Sequence, residues 1–111
     1  MIKQLFLTTI IISMSAPAYA RCTIASFYNL HGSMTANGET FNSYSHTAAH
    51  PSLPFGTRIR VTNNRNNRSV VVRINDRGPY IASRGLDLSL GAFTKIESTS
   101  EGVADVCYRI L

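Results

Sequence analysis

Ser69-Val70-Val71-Val72-Arg73-Ile74-Asn75-Asp76-Arg77-Gly78-Pro79 is the stretch that decides how this chain is read. Val70, Val71, Val72 and Ile74 are β-branched residues in a short run, the composition of a buried or half-buried strand. Gly78-Pro79 ends it, because proline has no N–H to give a ladder and glycine permits a sharp turn. Asp76 and Arg77 therefore stand where strand becomes turn. Two readings follow. A carboxylate on a stiff strand facing solvent is how a scaffold displays a reactive group. A carboxylate at a strand end also caps turns or pairs with a neighbour such as Arg77.

The flanking chain supplies partners for this strand. Thr57 to Thr62 alternates, with Ile59 and Val61 on one face and Arg58 and Arg60 on the other, as in a half-buried antiparallel strand. Asn63 to Asn67 is a polar turn centred on Arg65, so the two strands form a hairpin. Upstream, Thr23 to Tyr28 reads as the first strand. Leu30 to Asn42 is a Gly-, Ser-, Thr- and Asn-rich segment holding the turn signal Asn37-Gly38, with Glu39 directly after it. Thr47-Ala48-Ala49-His50 is a small-residue segment, and Pro51 and Pro54 bracket the loop that follows it. Downstream, Leu86-Asp87-Leu88 is a short apolar segment. Ser89 is a helix cap for Leu90 to Ile96, Ser98 to Gly102 is loop, and Val103 to Leu111 is the last strand. On that strand Cys107 shares a face with Val103, Asp105 and Arg109, while Ala104, Val106, Tyr108 and Ile110 face the other way. About six short strands and one short helix suit a small closed barrel, which removes exposed edges.

The first twenty residues read as a secretory signal peptide. Lys3 gives the positive start, Leu5 to Met14 the apolar run, and Ala18-Tyr19-Ala20 the small-x-small cleavage site. Arg21 precedes Cys22 where a lipoprotein signal needs a small residue, so cleavage after Ala20 without a lipid anchor is expected. The remaining chain is one small domain in a periplasmic or secreted setting. It stays basic after Lys3 is lost, which favours an envelope polymer carrying carboxylates or phosphates. Export argues against nucleic acid. No basic run of five residues occurs, so the charge reads as distributed. Cys22 and Cys107 allow one intramolecular disulfide, placed outside the core, and closing so long a loop stabilises by roughly 4 kcal/mol in the chain-entropy picture.

Four chemically useful residues stand at element ends: Glu39, His50, Asp76 and Asp87. Glycosidic cleavage needs a proton donor for the leaving oxygen. Hydrolysis adds a second carboxylate, whereas a sugar's own hydroxyl can serve as nucleophile with one acid/base group. A metal site would have to use His31, His46 and His50, two of them in polar loops, and neither metal nor cofactor is expected. Tyr28 and Tyr80 are the rings best suited to stack on a sugar face.

Ala25-Ser26-Phe27-Tyr28, Thr35 through Phe41, Thr47 through His50, Leu53 through Asn63, Arg73 through Pro79 and Leu86 through Ser89 together resemble the rare lipoprotein A family. The motifs run in that family's order over nearly the whole domain. The resemblance implies a mainly β fold, a six-stranded double-psi β-barrel with one short helix over residues 21–111. It implies a lytic transglycosylase that cleaves peptidoglycan glycan strands, prefers strands stripped of stem peptides, and leaves 1,6-anhydro-muramyl ends. Asp76 would be the general acid/base, with Glu39 and His50 in support. Asn37, Thr47, Asn75 and Arg77 join Tyr28 and Tyr80 as expected substrate contacts. Asp87 would be structural, a buried carboxylate accepting backbone N–H bonds around a psi loop. A monomer is expected. Two alternatives are a non-catalytic, expansin-like glycan-binding module and an inverting hydrolase using Glu39 and Asp76 as a carboxylate pair.

Overall fold

The computed structural model describes residues 21–111, so the signal-peptide reading lies outside the described residues. The strands are β1 (Arg21–Tyr28), β2 (Thr47–Ala49), β3 (Arg58–Asn63), β4 (Ser69–Asp76), β5 (Arg84–Ser89) and β6 (Val103–Ile110). Helix α1 covers Leu90–Ile96, and Thr99–Glu101, expected as plain loop, forms a 3-10 turn capped by Ser98.

Around the barrel the order is β1-β5-β2-β4-β3-β6, closed by β6 pairing with β1. β3 and β4 form the expected antiparallel hairpin, with Ile59 opposite Val72 and Val61 opposite Val70. Two pairs are parallel, β1 with β5 and β2 with β4, the crossings of a double-psi barrel. A short barrel of this size is filled by its own side chains. Ile59, Val61, Val72, Ile74, Leu86, Leu88 and Val106 occupy the interior, and Phe93 and Ile96 of α1 complete the packing. Phe27 meets Phe93 with ring centroids 4.7 Å apart.

On β6 the expected alternation holds through Tyr108, but Ile110 is exposed. It is the strand's last residue, beyond the packed interior. Cys22 and Cys107 are directly opposite on β1 and β6 and are joined by a disulfide outside the core cluster.

α1 begins where the sequence indicates. Ser89 Oγ accepts the Ala92 N–H at 3.2 Å and donates to Ser45 O, so one hydroxyl fastens the helix start to the preceding loop. Gly91 tightens that junction: its N–H donates to Ser43 O at 2.7 Å, and a Cβ there would lie 2.6 Å from Tyr44 O. At the other end Glu97 accepts from Ser98 N–H and from both Arg65 and Asn63, binding the β3–β4 turn to the helix C-terminus.

Alanine normally favours a helix over glycine by about 1 kcal/mol. Here the atoms in the way are backbone, and overpacking of that kind costs about 1–3 kcal/mol. Gly91→Ala is therefore expected to lower the urea midpoint, with a net loss of stability of about 1 kcal/mol. A variant as stable as the parent would contradict this packing.

Candidate active site

The reactive groups lie on the outer surface of the barrel. Strand register lines them up: Ser26 of β1 is opposite Asp87 of β5, Asp87 is opposite Ala49 of β2, and Ala49 is opposite Asp76 of β4. A register shift on β2–β4 beside Ala49 re-aims Asp76, as bulges do beside functional sites. Two carboxyl groups thus flank one alanine, their Cα atoms two strand spacings apart, about 10 Å.

Asp76 is pinned. Oδ1 accepts the N–H groups of Ala36 and Arg77, each at 2.9 Å, and Oδ2 accepts the Tyr28 hydroxyl at 3.3 Å. Tyr28 is no open sugar platform: its ring stacks on the buried Phe41 with centroids 4.5 Å apart. Burial, reinforced by the nearby Asp76 charge, raises the Tyr28 pKa, so the phenol keeps its proton and donates it.

Asp87 belongs to this group, which corrects its reading as a carboxylate wrapped in backbone N–H bonds. It is half-buried and takes the Ser26 hydroxyl at 3.0 Å. The strand pairing uses the backbone N–H groups in the ladder, leaving a neighbouring hydroxyl to serve the carboxylate. Burial, with a further push from Asp76, raises its pKa against the lowering effects of Ser26 and Arg84.

Glu39 sits on the arm that lies over β4. Its carboxylate is gripped by Arg73 through Nη1–Oε1 and Nη2–Oε2, the latter at 2.9 Å. Asn37 Nδ2 donates to Oε1 at 2.8 Å and Asn75 Nδ2 to Oε2 at 3.3 Å. The Arg73 bond first and the Asn37 bond second hold its pKa at about 2. Glu39 is a fixed anion that clamps the arm, and a poor proton carrier. The arm is also held by Asn37 N–H on Asn75 O, so the Ala36 N–H arrives at Asp76 correctly placed.

His50 joins the site through its backbone: its N–H donates to Asp76 O at 3.2 Å. Its ring is buried and turned to β6, with Nε2 3.0 Å from the Tyr108 hydroxyl. Nδ1 accepts the N–H groups of Ser52 and Leu53 at 3.0 and 2.9 Å. Backbone N–H groups can only donate, so Nδ1 is bare and Nε2 carries the hydrogen. Burial first, then Arg21 and Arg77, lowers the His50 pKa.

The expected substrate contacts divide. Tyr80 is open to solvent, while Thr47 and Asn75 are buried, with Thr47 Oγ1 and Asn75 Oδ1 lacking partners among the described residues. The Arg77 guanidinium lies 3.9 Å over the Phe55 ring and donates to Leu53 O at 2.8 Å, so it braces the loop after His50. Sequence reasoning missed Arg73, Tyr108 and the Ala36 N–H. Arg73 was legible as the residue sharing a strand face with Asn75; the other two have no local signal. Among the described residues the three histidines do not converge, and His31 Nδ1 accepts the Ser43 N–H.

Because folded His50 binds its proton less readily than the unfolded residue, its contribution to stability is complete above the unfolded pKa near 6.5 and is lost as pH falls below it. Nitrogen-15 NMR is expected to find the Nε2–H tautomer and a neutral His50 ring at about pH 6.5. A ring half-protonated at that pH would contradict this placement.

Residues 20–108 match the family described as lytic transglycolase. A Synechocystis protein named probable endolytic peptidoglycan transglycosylase RlpA is 57% identical over 90 residues, 79% of this chain and 28% of that protein. The Campylobacter jejuni endolytic peptidoglycan transglycosylase RlpA is 48% identical over 90 residues, 79% of this chain and 33% of the relative. The chain thus spans about a third or less of the curated relatives it matches. Among solved structures, the Streptomyces papain inhibitor aligns with a TM-score of 0.71 at 21% identity, covering 86% of this chain and 97% of its own, a likeness of fold.

Proposed function

This chain belongs to the lytic transglycolase family, and from that membership we propose that it cleaves peptidoglycan glycan strands between N-acetylmuramic acid and N-acetylglucosamine. The products carry 1,6-anhydro-muramyl ends. The observation that carries this reading is the fixed carboxyl group of Asp76 on the outer barrel face, with Tyr28 on Oδ2 and Asp87 across Ala49.

The reaction breaks the bond from C1 to the leaving oxygen and forms one from C1 to the muramyl C6 oxygen. A proton must reach the leaving oxygen, and another must leave the C6 hydroxyl. One carboxyl group can do both in turn, so no water is consumed. Asp76 has the position for this: Oδ1 is held by two backbone donors and Oδ2 shares a hydrogen bond with a phenol that keeps its own proton. Asp87 supplies a second carboxyl group beside the positive charge that develops at C1. Glu39 and His50 are positioning residues, one clamping the arm that brings Ala36 to Asp76, the other fastening the 50–53 loop. The Arg73 guanidinium grips both Glu39 oxygens and lowers the pKa of the carboxyl group, which speaks against Glu39 as the base of an inverting hydrolase.

Glycan strands lie outside the cytoplasm. The Cys22–Cys107 disulfide supports an oxidising, periplasmic or secreted setting, and with it cleavage of the leader after Ala20. A monomer suffices, since every group named comes from one chain.

Incubated with peptide-free glycan strands, the protein is expected to release fragments whose mass shows anhydro ends. Reducing ends, heavier by one water, would mean hydrolysis. Asp76→Asn should cut product release by roughly 100-fold or more while the melting midpoint stays close to that of the parent. An Asn variant with full activity would remove Asp76 from this role.

A further inference from the structure

The basic residues, which look scattered along the sequence, are gathered by the barrel. Arg58 of β3 is directly opposite Arg73 of β4, and Arg60 of β3 is directly opposite Arg109 of β6. All four lie on outward positions, alternating with Ile59, Val61, Val72 and Ile74 inside. Arg58 and Arg109 are exposed and Arg60 half-buried. Among the described residues the ion pairs are Arg73 with Glu39 and Arg65 with Glu97, so Arg58, Arg60 and Arg109 have no acidic partner.

Like charges directly opposite across strands destabilise a sheet. Glu39 offsets the charge of Arg73, but the Arg60–Arg109 pair and the neighbouring Arg58 have no acidic group against them among the described residues, which costs folding stability. An anionic ligand would offset that cost. The row is also continuous with the active site: Arg73 touches Glu39, and Asp76 lies three residues further along β4. Going round the barrel, the outer face passes from the carboxyl groups on β5 and β4 to the arginines on β3 and β6.

We propose that Arg58, Arg60 and Arg109 form an anion-binding track that holds the carboxylates of the glycan strand beyond the cleavage point. This rests on the glycan-cleaving reading above. Each muramyl residue carries a lactyl carboxylate, which is free once the stem peptide has been removed and otherwise tied up in an amide. Guanidinium groups bind carboxylates through two parallel hydrogen bonds, an arrangement an amide cannot reproduce. A strand lying along the track would present free carboxylates to it, so the track selects strands without stem peptides.

The test uses the full chain carrying Asp76→Asn, so that strands stay intact, with and without Arg58→Gln, Arg60→Gln and Arg109→Gln together. Binding is measured to peptide-free strands and to the same strands with their carboxyl groups converted to primary amides. Loss of the three charges is expected to weaken binding to the carboxylate strands about tenfold or more and to leave the weaker binding to amidated strands unchanged. About 0.5 M salt should abolish most of the difference. The triple variant should melt no lower than its parent, because opposed like charges have been removed, which guards against a folding defect. Equal binding by the two proteins, or an equal loss on amidated strands, would overturn the track. Cleavage by the wild-type chain is followed separately. If it releases anhydro ends but the arginines make no difference, the track fails and the catalytic reading stands. If it releases none while the binding difference holds, the catalytic reading fails and the track stands.

Discussion

Closure of a six-stranded barrel on its own side chains constrains everything else in this protein. Among the described residues the interior is filled by Ile59, Val61, Val72, Ile74, Leu86, Leu88 and Val106, and β6 closes the sheet against β1. Chemistry has to be built on the outer face, from residues that alternate with the core. A flat outer face positions nothing by itself. The arm carrying Ala36, Asn37 and Glu39 supplies the missing walls: it lies over β4 and delivers a backbone N–H to Asp76. The Glu39–Arg73 pair holds that arm.

Three carboxyl groups on one small surface have been given different tasks by their surroundings. Glu39, held by a guanidinium and two amides, has its pKa lowered to about 2 and stays ionised in mild acid. Asp87, half-buried with one hydroxyl for company, holds its proton more tightly than a free aspartate. Asp76 has one oxygen committed to backbone donors and the other beside Tyr28. Their surroundings thus push the pKa values of Glu39 and Asp87 in opposite directions. His50 shows the same principle in a structural role, since two backbone donors on Nδ1 and burial of the ring keep it neutral.

The elements and most of the chemistry-bearing positions are legible along the chain. Strand periodicity placed β3, β4 and β6, Ser89 marked the start of α1, and the even cysteine count matched Cys22 to Cys107. These signals are legible because alternation, capping and turn chemistry depend on residues a few positions apart. The motif order pointed to Asp76, Glu39 and His50, and the fold brings all three to one end of β4, His50 through its backbone N–H.

Which side chains meet is set by the closed barrel. That Asp87 faces Asp76 across Ala49, that His50 turns to Tyr108, and that scattered arginines on three strands form one row all depend on strand order and register around the barrel. Register between strands far apart in the chain is set by barrel closure and by shifts such as the one beside Ala49. It leaves no local trace in the sequence, because each side chain's neighbours are chosen by hydrogen bonding between strands and not by its own position along one.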